Sequence, residues 1–215
     1  AVYGADDPAI ARYLNSLGLV LDSLGALEDA RSVLERALAI TEDVSGTDHP
    51  NVAARLVNLG GVLSQLGRSE EALTLARRAV SIDVAAHGTD HPEVAIDLIN
   101  LGWVLRDLGR LDEAMTAFER ALAIDEAAYG PHHLEVAVDL VGMGRVLRDL
   151  ERPEEALPLL ERVLAIDEAA YGPAHHIVAG DLYAVAALLA ELGRAEEARP
   201  LLERAEEIRA KDTPA

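Results

Sequence analysis

Apolar positions along the chain recur with two spacings, one nested in the other. Within the block from His91 to His132, Val94, Leu98, Leu101, Leu105 and Leu108 fall on one side of a helix that advances about 100° per residue. Ala95 and Gly102 form a narrow seam of small residues beside them, where another helix can approach closely. The pattern breaks at Gly109, and a second helical run extends from about Leu111 to about Tyr129. The block therefore predicts two helices, A and B, joined by a tight turn. Shifting the sequence by 42 residues brings the same letters back: His49, His91, His133 and His175 align, as do Ala30, Ala72, Ala114, Ala156 and Ala198. Five copies follow, at about 7–48, 49–90, 91–132, 133–174 and 175–215. A fixed period of this size denotes an array of stacked units.

The ends of the helices are written into each copy. Thr89-Asp90-His91-Pro92 supplies polar caps and a proline for the first turn of helix A. Gly109 stands where a left-handed residue commonly stops a helix, and Asp112 and Glu113 meet the positive end of helix B. Gly25, Gly67 and Gly193 repeat that turn, but the fourth copy has Glu151 there. A side chain in left-handed geometry costs roughly 1–2 kcal/mol, so the turn at Glu151 is expected to differ from the others or to be strained. Pro158 and Pro200 predict bends in their B helices. Tyr3 and Gly4 align with Tyr129 and Gly130, which predicts that residues 1–4 are the remnant of a further, upstream copy. At the other end, Glu206 replaces Leu38, Val80, Leu122 and Leu164, and Glu207 replaces Ala39, Ser81, Ala123 and Ala165. A polar outer face of this kind is expected of a terminal repeat.

Leu101-Gly102 with Leu105, followed by Ala114, Phe118 and Ala121, resembles the tetratricopeptide repeat, with its large-small pair in helix A and small-large-small spacing in helix B. The 42-residue length and the Tyr-Gly-x-x-His link are similar to the kinesin light chain type, and to arrays that follow nucleotide-binding switch domains in bacterial signalling proteins. The resemblance spans essentially the whole chain. It implies an all-α, right-handed α-solenoid of five helix-turn-helix repeats forming a single domain over 1–215, with the A helices lining a concave surface. It implies a scaffold for protein partners and leaves their identity open.

Composition narrows the partners. Half the residues are hydrophobic but only 3% are aromatic, so the core is built from Ala, Leu, Val and Ile, a mixture that favours helix. A net charge of −19 at pH 7 opposes binding to nucleic acid or to an anionic membrane surface. No apolar run approaches the ~18 residues of a membrane span. Cysteine is absent, so thiolate chemistry is excluded and a reducing, cytoplasmic setting is compatible.

The residues expected to carry function lie on the side of helix A opposite the core stripe. That side varies from copy to copy while the stripe repeats. In the second copy it carries Val57 and Asn58, in the third Ile96, Ile99, Asn100, Trp103 and Arg106, in the fourth Val138, Val141, Arg145 and Arg148, and in the fifth Tyr183. An apolar strip rimmed by charge marks a binding surface. Trp103, the sole tryptophan, is the natural anchor. Similar asparagines in the family hold the backbone of an extended peptide, and the resemblance extends that role to Asn58 and Asn100, the alternative being local polar satisfaction on a solvated face. The arginines could pair with a ligand carboxylate, or with neighbouring acids of the chain itself. The expected ligand is thus a protein or peptide segment with apolar and acidic residues, and self-association is a further expectation.

Catalysis has no evident home. The recurring histidines fall one per repeat in the link, where a turn or capping role suffices and no metal is expected. Pairs such as Glu70-Glu71 and Glu154-Glu155 sit at helix starts. There is no Gly-rich phosphate loop or nucleophile elbow, and no cofactor or enzyme activity is expected. The leading expectation is a protein-interaction module with a peptide-binding groove. The alternative is a regulatory segment of a larger switch NTPase.

Overall fold

The computed structural model describes residues 8–212. Ten helices and no strand appear among them: α1 (Pro8–Ser23), α2 (Leu27–Ser45), α3 (Pro50–Gln65), α4 (Ser69–His87), α5 (Pro92–Asp107), α6 (Leu111–Tyr129), α7 (Leu134–Asp149), α8 (Pro153–Tyr171), α9 (His176–Glu191) and α10 (Ala195–Asp212). Odd-numbered helices are the A helices and even-numbered ones the B helices. The tail of a further copy expected at Tyr3 and Gly4 lies outside the described residues.

His49, His91, His133 and His175 each start an A helix. Nδ1 of each ring accepts the backbone N–H two residues on, at 3.1 Å from Asn51, 3.2 Å from Glu93, and 3.3 Å from Glu135 and Ile177. These are side-chain N-caps, which satisfy an N–H that the first helical turn leaves unpaired. Three of the rings also stack on the aromatic residue that ends the preceding B helix: His91 on His87, His133 on Tyr129 and His175 on Tyr171. The repeated histidine thus joins one repeat to the next.

Each A helix stops at a tight turn in which the residue after the cap adopts positive φ. That residue is Gly109 at 71°, with Gly25, Gly67 and Gly193 equivalent, and Glu151 at 58°. The backbone closes identically around Glu151, with the Arg152 N–H donating to Leu147 O at 2.8 Å as Arg110 does to Leu105 O at 2.9 Å. The expected strain is therefore carried rather than relieved. Both α8 and α10 run on through Pro158 and Pro200 as single helices.

Two compact units divide the chain, residues 1–117 and 118–215. In the first, Val52, Ala53 and Leu56 of α3 meet Ala79 and Ile82 of α4 in a buried cluster. Within the same unit α3 also touches α5, and α1 touches α3, so A helices lie side by side. In the second unit the same recurring positions build two clusters. Val136, Ala137 and Leu140 meet Val163 and Ile166, and Val178, Ala179 and Leu182 meet Ala205 and Ile208. Full burial of each such aliphatic side chain contributes about 1.5–3 kcal/mol, and the 42-residue period distributes that contribution evenly. Small residues set the spacing: a Cβ added at Gly142 would lie 2.5 Å from Cδ1 of the buried Phe118.

Arginines latch the links. Arg162 donates to Pro131 O at 2.7 Å and pairs with Glu126 at 2.5 Å, and Arg204 does the same with Pro173 O and Glu168. Arg78 repeats the arrangement in the first unit with Thr47 O and Glu42. Glu206 and Glu207 are exposed on α10, as a polar outer face requires. No helix among the described residues is long and apolar enough to cross a membrane.

Candidate functional site

The variable side of the A helices divides by position within the repeat. Ile96 and Val138, at one recurring position, are 46% and 43% exposed, large values for β-branched aliphatic side chains. Trp103 is half-buried, and the Arg106 guanidinium carbon lies 6.0 Å from its ring centroid, in cation–π range. A pocket of about 220 Å³ opens beside the indole, bounded by Gly60, Gly61 and Ser64 of α3 and by Asn100 and Asp107 of α5. The two glycines leave its floor without side chains, and nothing lies within 4 Å of a Cβ placed on Gly61. In the second unit a pocket of about 280 Å³ is lined by Val141, Gly144, Arg145 and Arg148 of α7, at the positions of Val57, Gly60, Gly61 and Ser64, and by Gly180 and Asp181 of α9.

The next recurring position departs from the expected exposed stripe. Ile99 is only 8% exposed, and Val57, Val141 and Tyr183 rest partly buried on the core clusters of their own units. Each follows by four residues a small core alanine, Ala53, Ala95, Ala137 or Ala179. Residues four apart share a helix face, and the alanine lets the neighbouring helix come close enough to cover them. Ile99 is therefore a core residue, and the other three form the rim between core and surface.

The polar candidates are occupied from within the chain. Asn58 donates its amide to Oδ1 of the buried Asn15 at 2.8 Å, and Asn100 donates to the Ile96 carbonyl of its own helix at 2.7 Å. Arg148 is ion-paired with Glu191. Arg145 is exposed, and Arg209 covers the Tyr183 ring at 5.9 Å. The apolar positions Ile96, Trp103 and Val138 thus remain as the accessible part of the expected surface.

Sequence reasoning missed a second recurring constellation, facing aspartates of which all but the half-buried Asp181 are buried. Asp83 with Asp97, Asp125 with Asp139, and Asp167 with Asp181 pair a B helix with the following A helix. Burial, then the facing carboxylate, pushes Asp97 and Asp139 up to about 8 and Asp181 to about 7, and burial pushes Asp125 up to about 6. Facing acids in a desolvated site cannot both ionise cheaply, so Asp83 with Asp97, and Asp125 with Asp139, titrate as units. The signal was present in the letters, since Asp recurs at 42-residue spacing in the core-facing register. It is not decisive there, because a recurring Asp on one helix reads equally well as a solvated charge. No group of acids or histidines able to hold a metal ion occurs among the described residues, and the histidine Nδ1 atoms are engaged as caps.

A model of the tetratricopeptide repeat matches residues 23–83, 56–127, 104–169 and 136–211, overlapping windows that run through most of the chain. The chain belongs to the tetratricopeptide repeat family. No curated protein matches it. Among solved structures, this tetratricopeptide repeat chain is similar to the nearly identical TPR-like repeats of a Podosopora anserina protein described as a kinesin light chain. Identity is 24% and the TM-score 0.80, over 97% of this chain and 99% of that one. It is also similar to BtubC (BKLC) from P. vanneervenii, at 20% identity and a TM-score of 0.82, over 97% of this chain and 84% of that one. A Rap protein complexed with competence and sporulation factor matches at 14% identity and a TM-score of 0.77, over 93% of this chain and 54% of that one. At these identities the likeness is one of fold: an all-α repeat solenoid of the kinesin light chain-like type. As in this family generally, the scaffold is one for protein–protein interaction.

Proposed function

We propose that the five repeats serve as one interaction domain that holds a peptide or an extended segment of a partner against the variable side of the A helices. The observation that carries this reading is the pocket beside Trp103. A half-buried indole flanks a glycine-floored cavity, and Ile96 stands exposed on the same helix. That is the arrangement of an anchor pocket, where an apolar side chain of the partner gains burial that the chain does not provide for itself. Val138 and the pocket lined by Val141 and Arg145 offer a second anchor in the other unit. An acidic residue of the segment would be received by Arg148 only in competition with Glu191. The complex of a Rap protein with competence and sporulation factor supplies a precedent for ligand binding on this fold.

Trp103 also provides the assay. As the single tryptophan, its fluorescence reports on its own pocket. Partners retained on the immobilised chain are identified, and their affinity is then measured by Trp103 fluorescence and by calorimetry. Trp103→Ala should weaken binding by about 2 kcal/mol or more. Equal calorimetric affinities for the two proteins would remove Trp103 from the site.

Self-association is favoured by a separate observation. Tyr13, Leu17 and Val20 of α1, and Leu24 just after it, are exposed, whereas Val62, Val104 and Val146, at the recurring position of Val20, are buried. A second copy covering α1 would give a dimer in light scattering, and Val20→Glu should abolish it.

A further inference from the structure

The Asp83–Asp97 pair opens onto a cavity of about 410 Å³ in the first unit, formed by α3, α4 and α5. Both carboxylates are more than nine-tenths buried, at 5% and 3% exposure, and both line the cavity. One oxygen of each, Asp83 Oδ1 and Asp97 Oδ2, is sealed from solvent and has no hydrogen-bond partner outside the pair. A buried carboxylate oxygen without a partner carries a desolvation cost that a donor placed in the cavity would offset. Glu93 adds a third acid to the lining, and no lysine or arginine lines it among the described residues. The wall beside the acids is aliphatic, made by Ala54, Val57 and Ile96.

Packing does not demand these acids. One repeat earlier the same two recurring positions hold Thr41 and Arg55, and α2 and α3 are in contact there as α4 and α5 are. The acids, which recur in the second unit as Asp125 with Asp139 and Asp167 with Asp181, therefore set the charge of a junction without altering the fold.

We propose that the cavity between α3, α4 and α5 is a subsite for one basic side chain, an arginine by preference, on the segment held against the A helices. The inference rests on the groove reading above and assigns the charge of its ligand. A guanidinium presents a planar fork of donors that can serve two facing carboxyls at once when they turn toward the cavity. Its three-carbon stem would lie along Ala54, Val57 and Ile96, as arginine stems lie on apolar surfaces elsewhere. Ile96 is shared between this cavity and the exposed strip, so the basic residue and the apolar anchor would sit close together in the bound segment.

Binding of a cation favours the charged form of both acids, so the pair should give up its shared proton as the ligand enters. The titratable groups facing Asp97 are Asp83 and His87 from α4 and His91 and Glu93 from the α5 end, while α3 contributes none to the lining. Affinity for a basic ligand should accordingly rise with pH through the range in which the pair deprotonates.

The test is selection of a random peptide library on the immobilised chain, followed by calorimetry with the selected peptide. Wild type should select peptides with Arg or Lys at a fixed spacing from an apolar residue. Replacing that Arg by its neutral isostere citrulline, or Asp97 by Asn in the protein, should weaken binding about 10- to 100-fold, the range expected for a charge-assisted hydrogen-bonded pair. Loss of binding by Asp97→Asn counts only with an undiminished melting temperature, and the citrulline peptide tests the same contact on unaltered protein. Selected peptides that depend on Trp103 but tolerate citrulline would overturn the basic subsite and leave the groove standing. A library that yields no binder at all would overturn both. Calcium or spermidine bound through Asp97, without competition from the basic peptide, would make this an ion site and refute the proposal.

Discussion

Substituting Asp139 by Asn should stabilise the protein, and by an amount that grows with pH. Asp139 is wholly buried, and its carboxyl faces and hydrogen-bonds that of Asp125. Burial first, then the facing Asp125, raises it from the usual 3.8 to about 8. An unfolded Asp ionises near pH 4, so between that point and about pH 8 folding requires the carboxyl to retain a proton that the unfolded chain has released. The protein pays nothing for this group below pH ~4, progressively more up to pH ~8, and a constant amount above. At about 1.4 kcal/mol per pKa unit the full displacement corresponds to roughly 5–6 kcal/mol as an upper bound. Relaxation of the junction and entry of water reduce this, and the buried amide retains part of the desolvation cost, leaving about 1–3 kcal/mol as the expected gain near pH 8.5. Urea unfolding followed by circular dichroism at about pH 5 and about pH 8.5 provides the comparison. The difference between Asp139→Asn and wild type should widen toward the alkaline end. A difference that stays constant with pH, or a variant less stable at both, would refute the claim that this carboxyl is held protonated against its ordinary tendency.

Two further substitutions address the repeat geometry. Gly142→Ala places a Cβ against the ring of Phe118, which is sealed in the core and cannot swing clear, so a loss of about 1–3 kcal/mol in denaturant unfolding is expected. Glu151→Gly removes a side chain from left-handed backbone at φ 58° and should raise stability by about 0.5–1 kcal/mol, after allowance for the greater freedom of glycine in the unfolded chain. A lower melting temperature for Glu151→Gly would mean that the side chain earns its place through contacts outweighing the strain.

Much of this architecture was legible in the letters because repetition supplies the missing dimension. A residue such as Ala114 or His133 appears in several copies, so local chemistry that would be ambiguous once becomes decisive when repeated. The limits of α5 and α6, the left-handed turn at Glu151 and the charged outer face at Glu206 and Glu207 all depend on near neighbours along the chain. Nothing from elsewhere in the molecule had to be known.

The candidate surface was only partly readable, for a geometric reason. An angular projection of one helix places Ile96, Ile99 and Trp103 on a common side, but it cannot say how closely the adjacent helix approaches. The alanine at Ala95 permits a close approach, so Ile99 is covered while Ile96 is not. In the same way Asn58 looked like a hand extended to a ligand until Asn15, 43 residues earlier, was found holding it. The aspartate pairs lay hidden for the same cause: Asp83 and Asp97, or Asp125 and Asp139, confront each other only when a B helix and the following A helix are docked. Period, helix ends and the apolar stripe follow from interactions within about one turn of a residue, and the chain itself determines them. Which side chains face water, and which carboxylates must share a proton, depends on distances between helices, and those exist only in the folded stack.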